Sequence, residues 1–177
     1  MFRRSLLKSL FLAAVALAVA VSCGQEEGTP TPDAGSGVNN PAATSTTDTE
    51  PATAKFGEGF TFRNGVAVTV SQPAPFVPSA SAAGYEAGGQ AVIFTITVVN
   101  GSQENYDPTL FTTSLQSGNR EASQIFDSAK NLGGTPSTVV LPGREAEFQV
   151  AYAVSDPTDL VMEVSPGFEY RDAIFTF

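Results

Sequence analysis

The feature that most restricts the fold of this chain is a two-residue alternation of side-chain character in its C-terminal two thirds. In 66–71 three valines fall on one face, and in 92–99 both faces carry apolar side chains. Successive side chains of a strand point to opposite faces, so the pattern predicts strands, and the apolar second face of 92–99 predicts a central strand covered on both sides. No segment has a convincing helical period, and the best candidate for a helical turn lies near 123–132.

Several further runs repeat the alternation, separated by Gly, Pro, Asn and Asp. They are 110–115, 138–141, 148–154, 160–164 and 173–177. A Pro-Gly turn at 141–144 leads into one of them, and 156–159 separates two of them at hairpin distance. Short strands at this spacing predict an all-β, antiparallel sandwich or barrel.

Eleven of the thirteen phenylalanines lie between Phe56 and the last residue, and the only cysteine precedes that region. Without a disulfide, the sheets must be held together by apolar burial, to which each aromatic side chain contributes ~150–250 Å². The aromatic residues that we expect inside the core are Phe94, Phe148, Tyr152, Phe175 and Phe177.

The first 22 residues have the organisation of an export signal. A basic start is followed by an apolar run over 10–21 that is too short to span a bilayer comfortably, and small residues lead to Cys23. Residues 20–23 resemble the lipobox of bacterial lipoproteins, although Ala20 stands where leucine is usual. The resemblance implies that Cys23 receives a diacylglycerol and becomes the N-terminus. The alternatives are an ordinary cleaved signal or an uncleaved apolar anchor.

Residues 3–8 also resemble a twin-arginine export motif, with Phe2 where a serine or threonine is usual. The alternative is the positive charge that every signal carries on its cytoplasmic side. The sequence therefore leaves the general secretory and the twin-arginine routes both open.

Residues 23–55 are rich in Thr, Ser, Pro, Ala and Gly, with no aromatic residue. Such a segment buries too little apolar area to offset the ordering of its backbone, so we expect a disordered linker reaching on the order of 30 Å from the membrane. The chain is thus divided into a signal peptide (1–22), a lipidated linker (23–55) and a folded domain (56–177).

A resemblance to a known family appears within the folded domain. The residues that carry it are 98–102, 106–108 with Phe111, 141–143 and the strand 148–154. They resemble a family of Gram-positive, chiefly actinobacterial, lipoprotein domains of unknown function. Members of that family are similar to telokin-like immunoglobulin folds and to a small secreted mycobacterial antigen. The resemblance covers roughly 60–177 and implies an immunoglobulin-like sandwich at the outer face of the cell membrane.

The charges and the missing residue types exclude several functions. After removal of 1–22 the chain has 6 basic and 18 acidic residues, a net charge of −12, which disfavours binding to nucleic acid. The chain has no histidine, so a common serine triad is excluded, and Cys23 is assigned to lipid. No zinc, copper or EF-hand calcium pattern is present, and we predict no cofactor and no enzymatic activity.

A proline- and glycine-rich stretch at 72–90 is long for a loop in a compact domain. One interpretation is that Phe76 and Tyr85, joined by the turn at Tyr106, contact a protein or cell-wall partner. The other is a lid, with Phe76 packed on the end of the sandwich. The alternative functions are a carrier of a small apolar ligand and, less favoured, a carboxylate-dependent hydrolase.

Overall fold

The computed structural model describes residues 28–31 and 53–177, and the described residues form twelve strands. In chain order they are β1 (Gly28–Thr31), β2 (Thr53–Lys55), β3 (Gly59–Phe62), β4 (Val66–Val70), β5 (Ala74–Pro75), β6 (Gln90–Asn100), β7 (Thr112–Ser117), β8 (Arg120–Glu121), β9 (Ser123–Ile125), β10 (Glu145–Val154), β11 (Leu160–Ser165) and β12 (Ala173–Thr176). Two short 3-10 helices, Pro108–Leu110 and Ser128–Lys130, complete the elements of these residues.

The strands form two sheets that pack face to face. The first sheet has the order β1-β3-β4-β6-β10-β9, with β5 beside one end of β6, and the second has the order β2-β12-β11-β7-β8. All pairings between these strands are antiparallel except the parallel pair β2–β12. The prediction of an all-β sandwich is therefore confirmed.

Strand β6 lies at the centre of the first sheet. It pairs with β10 along one side and with β4 and β5 along the other. Phe94, Ile96 and Val98 on its inner face are fully buried, since they meet the opposite sheet. On the outer face Ile93 packs in a second apolar cluster, whereas Val99 is 38% exposed, so the predicted outer cover reaches only one end of the strand.

Aromatic side chains fill one end of the space between the sheets. Phe60 and Phe62 have ring centroids 5.0 Å apart, Phe62 and Tyr170 4.9 Å, and Tyr170 and Tyr106 6.2 Å. All three pairs are edge-to-face, the arrangement that the quadrupoles of aromatic rings favour. This row of rings connects β3 to the loops at 101–111 and 166–172.

Buried Asn100 ends β6 and fixes the loops beside it. Its side-chain amide donates to the carbonyl oxygens of Glu104 and Val140, each at 2.8 Å, and its Oδ1 accepts from the Ser102 hydroxyl at 2.7 Å. Each of these bonds satisfies a polar group that would otherwise be costly to bury. The residues around Asn100, which carry part of the family resemblance, thus have a structural function.

Four local predictions need correction. Phe177 is 51% exposed, because it lies past the end of β12, and Phe148 is only half-buried. The run 110–115 begins in a 3-10 helix, because Pro108 and the Asp107 cap favour a helical turn there. The run 138–141 forms only a single bridge, between Val140 and Tyr106.

The two predicted turns have different outcomes. The turn at 141–144 is confirmed, since Gly143 has a φ of 74° and Arg144 N–H donates to Leu141 O at 3.0 Å. The turn at 156–159 joins β10 to β11, which belong to different sheets. It is therefore a crossover rather than a hairpin.

Two parts of the predicted linker are strands, although they are poor in apolar residues. Gly28–Thr31 pairs with β3, and Thr53–Lys55 pairs with β12. Pairing with a sheet edge uses backbone hydrogen bonds, which the composition argument did not consider. Residues 1–27, with Cys23 and the predicted signal, and the linker stretch 32–52 lie outside the described residues. None of the described residues belongs to a helix long and apolar enough to cross a membrane.

Candidate functional site

The segment 72–90, here called the loop layer, lies across the outer face of the first sheet. It begins with β5, which pairs with Val92 and Ile93 of β6, and continues with Phe76 N–H donating to Ala91 O at 2.9 Å. Further along, Ala83 and Phe126 exchange two backbone hydrogen bonds of 2.9 and 3.0 Å. The loop layer is therefore held on the sheet by backbone hydrogen bonds at two separate points.

Apolar contacts hold the loop layer on the sheet. Phe76, Ala82 and Tyr85 pack against a second cluster of buried residues, separate from the main core. The buried members of this cluster are Ala91, Ile125, Leu132 and Ala151. Alanines on β6 and β10 leave room for the larger side chains above them, so the loop layer acts as a third layer over this part of the sandwich.

A buried carboxylate pins the middle of the loop layer. Asp127, only 1% exposed, accepts from Ser79 N–H at 2.6 Å through Oδ2 and from the Ser79 hydroxyl at 2.7 Å through Oδ1. The Asp127 backbone exchanges two hydrogen bonds with Leu132, at 2.9 and 3.0 Å, which holds the carboxylate in place. We call this pair the Ser79–Asp127 clasp.

The clasp favours the ionised form of Asp127. The Ser79 backbone N–H holds the pKa of Asp127 below its usual range, and the Ser79 hydroxyl, the Ala129 N–H and the Lys130 charge act in the same direction. Burial opposes them but is outweighed. Hydrogen bonds to both oxygens of the carboxylate stabilise its ionised form, and they hold the loop in position.

The structure places the two loop residues predicted as contacts in half-buried positions. Phe76 packs in the second cluster, on the outer face of the sheet and not on the end of the sandwich where the lid interpretation places it, and the Tyr85 hydroxyl donates to Gly89 O at 2.8 Å within the loop itself. Val77, which no sequence pattern singles out, is 79% exposed. Phe126, on the neighbouring strand end, is 49% exposed.

Tyr106 does not belong to this surface. It is 4% exposed, its hydroxyl donates to Pro166 O at 2.8 Å, and burial raises the pKa of that hydroxyl. It follows the Asn100 end of β6, whereas the loop layer lies at the Gln90 end, roughly 30 Å away along the strand. The interpretation that the Tyr106 turn joins the loop in one contact surface is therefore wrong, because the ring is part of the core.

Sequence reasoning also misses the role of Asp127. The sequence favours a solvated turn residue or a local cap at this position, because acidic residues in turns are usually exposed. Its position next to the helical turn Ser128–Lys130 is a typical signal for a cap, but the partner, Ser79, is 48 residues away and has no signal in the sequence.

A small pocket lies at another place, where β1, β2 and the end of β12 meet. Its volume is about 320 Å³, and it is lined by Pro30, Thr53, Ala54, Lys55, Glu58, Thr176 and Phe177. Across 28–31 and 53–177, no group of three or more His, Cys, Asp or Glu side chains is arranged to hold a metal ion.

Comparisons with known proteins identify the fold of this chain. No protein-family model and no curated protein matches the chain significantly. The secreted protein MPT63 of Mycobacterium tuberculosis is 18% identical, with a TM-score of 0.53 over 73% of this chain and 100% of its own. The yjhA protein of Bacillus subtilis is 13% identical, with a TM-score of 0.54 over 69% of this chain and 97% of its own. This chain therefore shares the β-sandwich fold of a secreted mycobacterial protein, as the sequence resemblance implied.

Proposed function

We propose that this chain is a lipid-anchored protein of the extracytoplasmic membrane face, whose immunoglobulin-like domain binds a protein or cell-envelope partner without catalysis. The sandwich fold, shared with a secreted protein, supports an extracellular location. The lipobox-like residues before Cys23 support the anchor.

The observation that carries the binding proposal is that two apolar side chains next in sequence to the clasp residues are exposed. Val77 lies two residues before Ser79, and Phe126 lies directly before Asp127. They are 79% and 49% exposed. Exposed apolar side chains on a segment that is already fixed are suited to binding, because little conformational entropy is lost when a partner docks. We call Val77 and Phe126 the loop-face pair.

Site-specific crosslinking on intact cells tests this proposal. A chain of residues 24–177 carrying a photo-crosslinking side chain at position 77 is expected to capture one protein or wall polymer, identified by mass spectrometry. Binding of the purified partner to Val77→Ser and Phe126→Ser is then expected to weaken at least about tenfold, since interface anchors contribute disproportionately.

Phe168 supplies the matched control, because it is 83% exposed but lies in the loop between β11 and β12. Crosslinking from position 168 should not give the same product, and Phe168→Ser should bind normally. Equal capture from both positions, or equal weakening by all three variants, would count against a specific loop face.

A carrier of a small apolar ligand is the second candidate function, and the pocket between β1, β2 and β12 favours it. Its volume of about 320 Å³ is at the lower end of known ligand sites. Apolar Ala54, Pro30 and Phe177 line it together with charged Lys55 and Glu58. If this function is correct, Ala54→Phe should abolish binding of an apolar fluorescent probe, whereas the loop-face variants should bind the probe normally.

A further inference from the structure

Strand β10 has one edge that is only partly paired. Along one edge all ten of its residues pair with β6, whereas along the other only Ala151, Tyr152 and Ala153 pair with β9. Strand β9 stops there because Asp127 turns to pair with Leu132. In the described chain, the first six residues of β10 therefore present an unpaired edge, about 20 Å long. We call 145–150 the open edge.

The open edge offers backbone donors and acceptors at every second residue. Asn100 N–H donates to Arg144 O at 2.8 Å, so the backbone of Arg144 points towards β6. Backbone groups of a strand alternate in direction, and those of Glu145, Glu147 and Gln149 therefore point away from β6. No described residue pairs with them on that side. They can form six hydrogen bonds with an added antiparallel strand.

The side chains of the open edge are polar on the outer face of the sheet and aromatic on the inner face. Glu145, Glu147 and Gln149 are exposed on the outer face. On the inner face Phe148 is half-buried, with its ring 5.2 Å from that of Phe111 in an edge-to-face contact. The outer face of the open edge therefore carries two carboxylates, and on the inner face the Phe148 ring is incompletely covered.

The charges argue against two possible occupants. A second copy pairing antiparallel about Glu147, the register in which all three outward residues find partners, would place two glutamates directly opposite each other, which is destabilising. The linker stretch 32–52 contains Asp33, Asp48 and Glu50 but no lysine or arginine, so this part of the chain cannot supply positive charge. Charge complementarity favours a basic strand from another protein.

We propose that the open edge of β10 binds an extended segment of a basic polypeptide, which adds to the first sheet as a further antiparallel strand. Lysine or arginine side chains at every second position face Glu145 and Glu147, and the apolar residues between them cover Phe148. Backbone hydrogen bonds give such complexes affinity, and the alternating side chains give them specificity. This surface is separate from the loop-face pair and does not depend on it.

A peptide with alternating lysine and valine, ten residues long and capped at both ends, tests the proposal. The expected result in NMR titrations is that the amides of Glu145, Glu147 and Gln149 shift together and become protected from hydrogen exchange. The corresponding peptide with glutamate in place of lysine should not bind. Raising the salt from about 50 mM to about 500 mM should weaken binding, since exposed charges are screened.

Two sets of variants separate the contribution of the charges to peptide binding from that of the backbone hydrogen bonds. Glu145→Gln combined with Glu147→Gln should raise the Kd about tenfold, whereas Glu163→Gln on β11, an exposed carboxylate of the other sheet, should leave it unchanged. Glu147→Pro removes one outward N–H without removing a bond to β6, which an edge strand tolerates, and it should abolish binding.

Three outcomes would overturn the proposal. One is a set of shifts that maps to other residues, and another is equal binding of the lysine and glutamate peptides. The third is a dimer of the wild-type protein in which the same three amides are already protected, since a second copy would then occupy the edge. If Glu147→Pro does not fold, the charge variants and the peptide pair still decide the question.

Discussion

At the scale of single residues, Asp127 is the side chain whose environment departs most from the expectation for its type. It is an acidic residue with almost no exposed surface, and the hydrogen bonds from Ser79 favour its ionised form. Its pKa is lowered in the folded state, so its contribution to stability is fully present above the unfolded value of about 3.9 and is lost as the pH falls below it.

Asp127→Asn should therefore destabilise the protein at neutral pH and much less in acid. An asparagine keeps one acceptor oxygen, but its amide group opposes one of the two donors of Ser79. Thermal unfolding of both proteins from pH 7 to pH 3 should show a difference in Tm that shrinks below about pH 4. Hydrogen exchange at Ala83 should be faster in the variant at pH 7, because the clasp holds the loop layer.

Two other acidic residues with lowered pKa values serve as an internal control for this comparison. The pKa values of Asp107 and Asp156 are also lowered, by hydrogen bonds from Thr109 and Thr158 respectively, so both proteins should lose stability in acid. Only the difference between the two proteins reports on Asp127. A difference that stays constant down to pH 3 would mean that the Asp127 charge does not stabilise the clasp.

At the scale of elements, β2 is the segment that changes the boundary of the folded domain. Its three residues pair with β12, and Ala54 is 2% exposed. The sequence predicts that the domain starts at Phe56, because residues 53–55 show no apolar alternation. The parallel pairing with β12 is decided by contacts across more than 100 residues of chain.

A chain that begins at Phe56 should be less stable than one that begins at residue 52. Removal of β2 leaves one edge of β12 unpaired, and two or three lost hydrogen bonds at about 1 kcal/mol each predict a loss of about 2–3 kcal/mol. Urea unfolding of 56–177 and 52–177 measures the difference, and 47–177 should match 52–177. Equal midpoints for the two shorter chains would show that β2 adds no stability.

At the scale of the whole molecule, the net charge disfavours direct contact between the folded domain and an anionic membrane surface. The segment 53–177 contains 6 basic and 13 acidic residues, a net charge of −7. Anionic headgroups repel such a domain. The acylated Cys23 that we propose would hold such a domain at a membrane, because two or more acyl chains anchor a protein independently of its surface charge.

Mass spectrometry of the protein purified from its own cells should find a mature N-terminus at Cys23 carrying lipid. Cys23→Ala should release the protein from the membrane fraction or block its processing, and a conservative change in the linker, Thr44→Ser, should do neither. An unmodified N-terminus at another residue would contradict the lipid anchor.

The sequence by itself determined the class of fold and the longest strands. Strands β4, β6, β10 and β11 have an alternation strong enough to be read locally, since each must present one apolar face to the core. The Pro-Gly turn before β10 was also readable, because only a few residue types adopt a positive φ at low cost. The absence of histidine excludes a common serine triad whatever the fold, because the triad needs a histidine as its base.

The tertiary structure alone decided which polar and aromatic residues belong to the interior and which strands meet. Tyr106 is buried and Phe177 half-exposed, because burial depends on the end of the sandwich at which each side chain lies. The Ser79–Asp127 clasp and the β2–β12 pair join residues far apart in the chain, so no local pattern records them. The open edge of β10 exists because β9 ends early, and the sequence of β10 alone does not show where its neighbour stops.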